Sequence, residues 1–338
     1  MVALAGVAPQ TETSHIPIET MRSMAVILLV AYHVVGSGRG TGLDIAYPNV
    51  LRLYADFFLD VRMPFFAFIA GYVYALRPLS LRNYGDFVSG KCRRLLVPGV
   101  IAVAAFLLVA HLVGTQFAMP LQLIWRPFVF GYAHFWFLQS ILVIFVCYGL
   151  LDAVLRGRFA LVALVGSIIF YIAEWRFSTS VFSINGAVYL LPYFLLGLVF
   201  CRHTAEIWAE AERLTLLLLV VALACAFWNI RQLIETGTFS LDTRDLQSLL
   251  FGLSVCALAF LWCPRLPLLE RLGPYAFTIY LYHVFGTVAV RMAADGAGIA
   301  STDLRFILGI VGGLAIPIGL HRFAQRVPAL GAMMLGRR

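Results

Sequence analysis

Glu19-Thr-Met-Arg22-Ser-Met-Ala-Val-Ile-Leu-Leu-Val-Ala-Tyr-His33 sets a cation and an imidazole at the two ends of an apolar run. Ten residues separate Arg22 from His33, and all but Ser23 are apolar or aromatic. Eleven positions at 100° each make about 1100°, close to three whole turns, so the two side chains share a helix face. At 1.5 Å per residue they stand roughly 16 Å apart along the axis. Glu19, one turn before Arg22, is placed to neutralise it and hold its guanidinium. The enclosing run, 20 to 37, is long enough to cross about 30 Å of hydrocarbon. A charge or imidazole in such a run is costly and is a functional candidate by default.

The rest of the chain repeats this pattern. Of its 338 residues 62% are hydrophobic and only 12% charged, against roughly 25% charged in a soluble domain. A soluble globule is excluded. Apolar runs fall near 20–37, 57–76, 95–113, 134–154, 158–173, 186–201, 213–231, 246–263, 274–292 and 304–321. The predicted fold is therefore all-α, a polytopic membrane protein with about ten transmembrane helices. The run at 158–173 is short, which leaves room for a tilted or re-entrant path and a count of nine or eleven. The polar first 20 residues lack a basic start, and no small-residue cleavage pattern follows, so the first run is expected to be retained as a span.

Charge sets the expected orientation. All but one of the 25 basic residues are Arg, scattered between the apolar runs. With both termini on one side, fifteen fall there, from Arg77 and Arg82 through to Arg337 and Arg338. Eight fall opposite: Arg39, Arg52, Arg126, Arg176, Arg231, Arg244, Arg291 and Arg305. The positive-inside rule then predicts N-in and C-in. This spacing explains the +8 balance without any nucleic-acid partner. The expected organisation is a short cytoplasmic segment 1–19, a single transmembrane domain 20–325 and a short cytoplasmic tail 326–338. The six cysteines form no CxxC pair and no Cys/His cluster of metal-ligand spacing, so no metal is expected.

Other polar groups recur at span ends. Asp60-Val-Arg62-Met-Pro-Phe-Phe-Ala-Phe-Ile-Ala-Gly71-Tyr72 opens the second span with an acid and a base. Lys91-Cys-Arg93-Arg94-Leu-Leu-Val-Pro98 opens the third with three cations, which either anchor the helix or bind a polyanion such as phosphate. His134-Phe-Trp136-Phe-Leu138 begins the fourth, and the ninth carries Gly273-Pro-Tyr275-Ala-Phe-Thr-Ile-Tyr280-Leu-Tyr-His283. Aromatics at such places usually form an interfacial girdle, but three histidines in or beside spans exceed what anchoring requires.

In order and spacing these segments resemble the acyltransferase type 3 family, bacterial inner-membrane O-acyltransferases that modify cell-surface glycans. The resemblance rests on Arg22 and His33, Arg62-Met-Pro-Phe-Phe with Gly71-Tyr72, Lys91-x-x-Arg94-Leu-Leu-x-Pro98, His134-x-Trp136-Phe-Leu, and Leu272-Gly273 with Tyr280-Leu-x-His283. Lys91 stands where the family usually has Arg, Ala70 where Ser is common, and Ala276 where Ser is frequent. Lysine still binds phosphate as a point charge; the two alanines remove hydroxyls from any role. The resemblance implies transfer of an acyl group, most often acetyl, from cytoplasmic acyl-coenzyme A to a hydroxyl of a cell-surface glycan or lipid-linked sugar. Acyl-coenzyme A would be a donor substrate and not a bound cofactor. Membrane lipid is the expected surrounding, in a bacterial inner membrane, and a homo-oligomer or polysaccharide-assembly partners remain open.

The residues fit that chemistry. Arg22, Lys91, Arg93 and Arg94 would receive the polyanionic coenzyme at the cytoplasmic mouth, and His33, inward on the Arg22 face, would be the general base, forming with Arg22 the expected catalytic pair. Glu19, Asp60, Arg62, His134, Trp136, Tyr280 and His283 would shape the cavity or its acceptor side. Direct transfer and a covalent acyl-His33 intermediate both remain open, and ping-pong kinetics would select the second. Two other classes stand beside this reading: a transporter or flippase, and a noncatalytic membrane subunit of polysaccharide assembly. No repeat or matching pair of broken helices supports the transporter.

Overall fold

The computed structural model describes residues 16–38, 40–77 and 79–336. Most of the segment 1–19, Arg39, and Arg337 and Arg338 of the tail lie outside them. Among the described residues all regular structure is helical, apart from one lone antiparallel bridge between Phe130 and Val181.

Each apolar run holds a helix. In chain order the helices are α1 (Ile18–Val35), α2 (Val50–Phe57), α3 (Leu59–Ala75), α4 (Tyr84–Val113), the short α5 (Arg126–Val129), α6 (Trp136–Val154), α7 (Ala160–Ile172) and α8 (Ile184–Arg202). There follow α9 (Thr204–Ala209), α10 (Ala211–Thr236), α11 (Leu246–Trp262), α12 (Pro267–Glu270), α13 (Ala276–Gly296), α14 (Thr302–Arg326) and α15 (Pro328–Leu335). Among the described residues seven helices are long and apolar enough to cross a membrane, and α2 with α3, bent by 40°, makes an eighth. At thirteen residues α7 extends about 20 Å, less than the hydrocarbon thickness, and α11 has seventeen. The chain is a multi-pass helical membrane protein.

Local sequence explains the breaks. Gly36 ends α1 with φ +108, a conformation L side chains rarely adopt, and a Cβ there would collide with the Thr41 carbonyl. The following loop folds back on α1, Leu43 N–H donating to the Val34 carbonyl at 2.8 Å. It is pinned further by Arg52, which donates to the Ile45 carbonyl (2.8 Å) and pairs with Asp56 (3.2 Å). Tyr47 donates to the other Asp56 oxygen at 2.8 Å. Burial, and then the Asp56 carboxylate beside it, pushes Tyr47 up to about 12.

The most extensive helix pair is α3 with α8, and small residues explain it. A Cβ on Gly71 would fall onto the Phe194 carbonyl, and one on Gly197 onto the Phe68 carbonyl. The two backbones therefore touch, which in lipid is how packing replaces a hydrophobic drive. Around this pair Phe68, Leu190, Tyr193, Phe194, Leu195 and Leu198 are almost fully buried. At the Arg22 end, Arg202 of α8 grips Asp152 of α6 bidentately (2.9 and 2.6 Å), and Tyr74 of α3 donates to the same carboxylate at 2.8 Å. Three helices are thereby locked in depth.

Candidate active site

The three histidines noted in separate spans meet. His33 projects from the last turn of α1, His134 from the 3₁₀ turn Ala133–Phe135 before α6, and His283 from the middle of α13. Ring centroids stand 4.8 Å apart for His33 and His283, 5.0 Å for His134 and His283, and 5.7 Å for His33 and His134. His134 and His283 are buried, and His33 is half-buried. Among the described residues no group of three or more His, Cys, Asp or Glu is arranged to hold a metal ion.

The backbone of α13 fixes the cluster. His283 Nδ1 lies 2.9 Å from both the Ile279 and Tyr280 carbonyl oxygens. Two acceptors make Nδ1 the protonated nitrogen, so Nε2 keeps its lone pair, and it is buried without a hydrogen-bond partner. Tyr280 donates its hydroxyl to the His134 carbonyl, and His134 Nε2 faces the Leu281 carbonyl at 3.4 Å. Tyr280 thus holds the histidine turn from behind.

In front of the cluster opens a cavity of about 1160 Å³. His33, Arg62, His134 and Trp136 line it; Tyr280 and His283 stand behind its wall. The loops at the His33 end of the bundle form its mouth, with Thr41, Gln116, Asn185 and Thr243 on the rim. Arg62 is only 5% exposed, and its guanidinium lies 3.4 Å above the Tyr32 ring. Tyr32 in turn is 5.3 Å from the His33 ring. Asp60, two positions from Arg62, points about 200° away round the helix and turns to Ser248 of α11, away from the cavity.

The four cations expected to receive a coenzyme are at the opposite end. Arg22 pairs with Glu19 at 2.5 Å, so Glu19 is its partner and does not line the cavity. The Lys91 ammonium lies over the Phe145 ring at 3.5 Å. Arg93 keeps a buried Nε without a partner, and Arg94 donates to the Gly90 carbonyl at 3.1 Å. None of these reaches the cavity walls. Gly273 packs against Glu19, where a Cβ would strike both its carboxylate and its carbonyl.

Sequence reading missed a second tier of residues. Gln139 donates to the Pro127 and Phe128 carbonyls (3.3 Å each) and accepts from Ser183 at 2.7 Å. Ser140 donates to the Ser183 carbonyl at 2.9 Å, closing a buried network under the Trp136 wall. Tyr32 and Tyr189 also line the cavity, and both had passed as ordinary span aromatics. Adjacency to His33 was the one available signal for Tyr32.

Fold and site together define a multi-pass membrane protein with an imidazole cluster on the wall of a large cavity near one end of its bundle. A family model described as an acyltransferase domain, acyltransferase 3, matches residues 16–322, nearly the whole chain. The chain belongs to that family. No curated protein and no solved structure matches it.

Proposed function

We propose that this protein moves an acyl group, most often acetyl, from acyl-coenzyme A to a hydroxyl of a cell-surface glycan or lipid-linked sugar, in a bacterial inner membrane. The observation that carries the reading is the meeting of three histidines, one of them half-exposed on a cavity large enough for a sugar. In this reading the chain crosses the membrane ten times as a single domain over 20–325, with both termini in the cytoplasm. The cavity then faces outward to the acceptor, and Arg22, Lys91, Arg93 and Arg94 face the donor.

The chemistry runs as follows. The acceptor oxygen bonds to the thioester carbonyl carbon as His33 takes the hydroxyl proton. The C–S bond then breaks, and coenzyme A leaves as its thiol, recovering that proton. Arg62 offers a guanidinium beside Tyr32 and His33 for negative charge developing on the carbonyl oxygen. A general base contributes typically 10² to 10⁴ in rate. His33→Ala is therefore expected to lower acyl transfer by at least about 10² while the protein still inserts and purifies as a folded species. Labelled acetyl-coenzyme A supplied to purified protein reads this. Near-normal transfer or thioester hydrolysis by the variant would remove His33 from the reaction.

A further inference from the structure

Among the described residues the cavity wall carries four arginines, Arg62, Arg244, Arg291 and Arg305, and no Asp, Glu or Lys. Only Arg305 has a carboxylate partner among the described residues, Asp295 at 2.8 Å. Arg291 donates to the Gly42 carbonyl at 2.5 Å, and Arg244 to the Asn185 carbonyl at 2.9 Å while facing the Tyr189 ring. Carbonyls and rings satisfy hydrogen bonds without cancelling charge. Arg62, nearly fully buried, has no carboxylate within ion-pair distance among the described residues, and its Nε has no hydrogen-bond partner. Of the nearby acids, Asp56 is paired with Arg52 and Tyr47 and Asp60 turns to Ser248, while Asp242 and Asp245 accept from the Arg244 and Ser248 backbone N–H groups and Asp242 offsets part of the Arg244 charge.

A buried, unpaired guanidinium is costly unless something offsets its charge. Arg62, buried, and Arg244 and Arg291, half-buried, stand around one cavity and together focus a positive potential there. Anchoring to headgroups explains an arginine that reaches outward, but not Arg62, which lies inside. We infer that the acceptor is anionic, a glycan carrying a carboxylate or phosphate, held by Arg244 and Arg291 at the mouth, with the Arg62 charge deeper in the cavity drawing it toward His33. Guanidinium forks match both anions bidentately. The inference rests on the acyl-transfer reading for the word acceptor; the anion site itself does not depend on it.

The test uses the full chain in detergent and three probes: a galacturonate trimer, a neutral galactose trimer and glucose 1-phosphate. Binding is read by calorimetry, and hydrolysis of acetyl-coenzyme A by the wild type is measured separately. At least one anionic probe is expected to bind about tenfold more tightly than the neutral trimer, and to weaken with salt. The two anionic arms separate a carboxylate from a phosphate ligand. Arg244→Gln and Arg291→Gln should each cut that binding about tenfold, as expected for a lost charge-assisted pair. Arg213→Gln, exposed, paired with Glu210 and not lining the cavity, should not. Equal affinity for charged and neutral probes overturns the inference, as does a preference that survives both variants. A raised KM for acetyl-coenzyme A in Arg244→Gln would assign these arginines to the donor and overturn it too. Wild-type protein that binds anions yet never hydrolyses acetyl-coenzyme A would sink the acyl-transfer reading and leave the anion site standing.

Discussion

His283 carries its proton on Nδ1 because two backbone carbonyls, from Ile279 and Tyr280, are aimed at that nitrogen. Its Nε2 lone pair is left in the cluster, with the His33 ring 4.8 Å away. An orphaned buried acceptor costs stability; in the proposed reaction a small turn of the rings would let it accept the His33 N–H and orient that ring. His283→Phe keeps the aromatic volume and deletes the lone pair. The expected result is a fall of about tenfold in kcat, with the KM for acetyl-coenzyme A unmoved; an unchanged kcat would reduce His283 to packing. Each histidine was visible in the sequence, since an imidazole in an apolar run is conspicuous. Their meeting was not, because it depends on which helices become neighbours. Asp60 and Arg62 show the same limit in reverse, being adjacent in the text and on opposite sides of one helix. Arg244 and Arg291 counted only as loop anchors in the charge tally, and their place on the cavity wall comes from how the loops fold.

At the scale of elements, the backbone contact of α3 with α8 holds the bundle's centre. Gly71 was legible as part of a family-like segment, but its reason, the Phe194 carbonyl lying where a Cβ would stand, belongs to a partner helix. Adding one methyl forces the helices apart, and overpacking of this kind costs typically about 1–3 kcal/mol. Gly71→Ala and Gly197→Ala should each lower the thermal midpoint of the purified protein, whereas Gly166→Ala in α7, where a Cβ meets nothing within 4 Å, should leave it level or raise it slightly. Equal behaviour of the three variants would contradict the close approach. The helices themselves were readable from apolar run length, but not all their ends: α4 begins at Tyr84, well before the run at 95–113. Helix α2 before the break at Phe58 was not readable, because it carries Arg52 and Asp56 and lies before the run at 57–76. Lys91 is a further case. Its charge reads as a membrane anchor, yet the chain turns the ammonium onto the Phe145 ring, and only packing against α6 could reveal that.

The whole molecule turns on whether α7 crosses. A thirteen-residue helix falls about 10 Å short of the hydrocarbon thickness, but its surroundings favour a crossing. At one end the Arg202 guanidinium, already clamped on Asp152, also donates to the Gly157 carbonyl at 3.2 Å. At the other, Ser180 and Asn185 line the cavity mouth with Thr41 and Thr243. The chain therefore leaves one end of the bundle at 157 and reaches the other by 180. Exposed Phe159, Trp175 and Phe177 extend the apolar length beyond the helix, and local thinning of the bilayer can absorb the remaining mismatch. Only then do the arginines sort fifteen to eight as the positive-inside rule expects. If α7 failed to cross, every later loop would change sides. Single cysteines at exposed Arg158, Arg176, Thr238 and Arg271, in a background with the six natural cysteines replaced, test this with a membrane-impermeant maleimide. Arg176→Cys and Thr238→Cys should label in intact cells, and Arg158→Cys and Arg271→Cys only after the membrane is opened. Labelling of 158 and 176 from the same side would remove α7 as a span. Labelling of 158 and 271 alone in intact cells would invert the protein, turning the arginine-lined cavity toward the cytoplasm and its coenzyme.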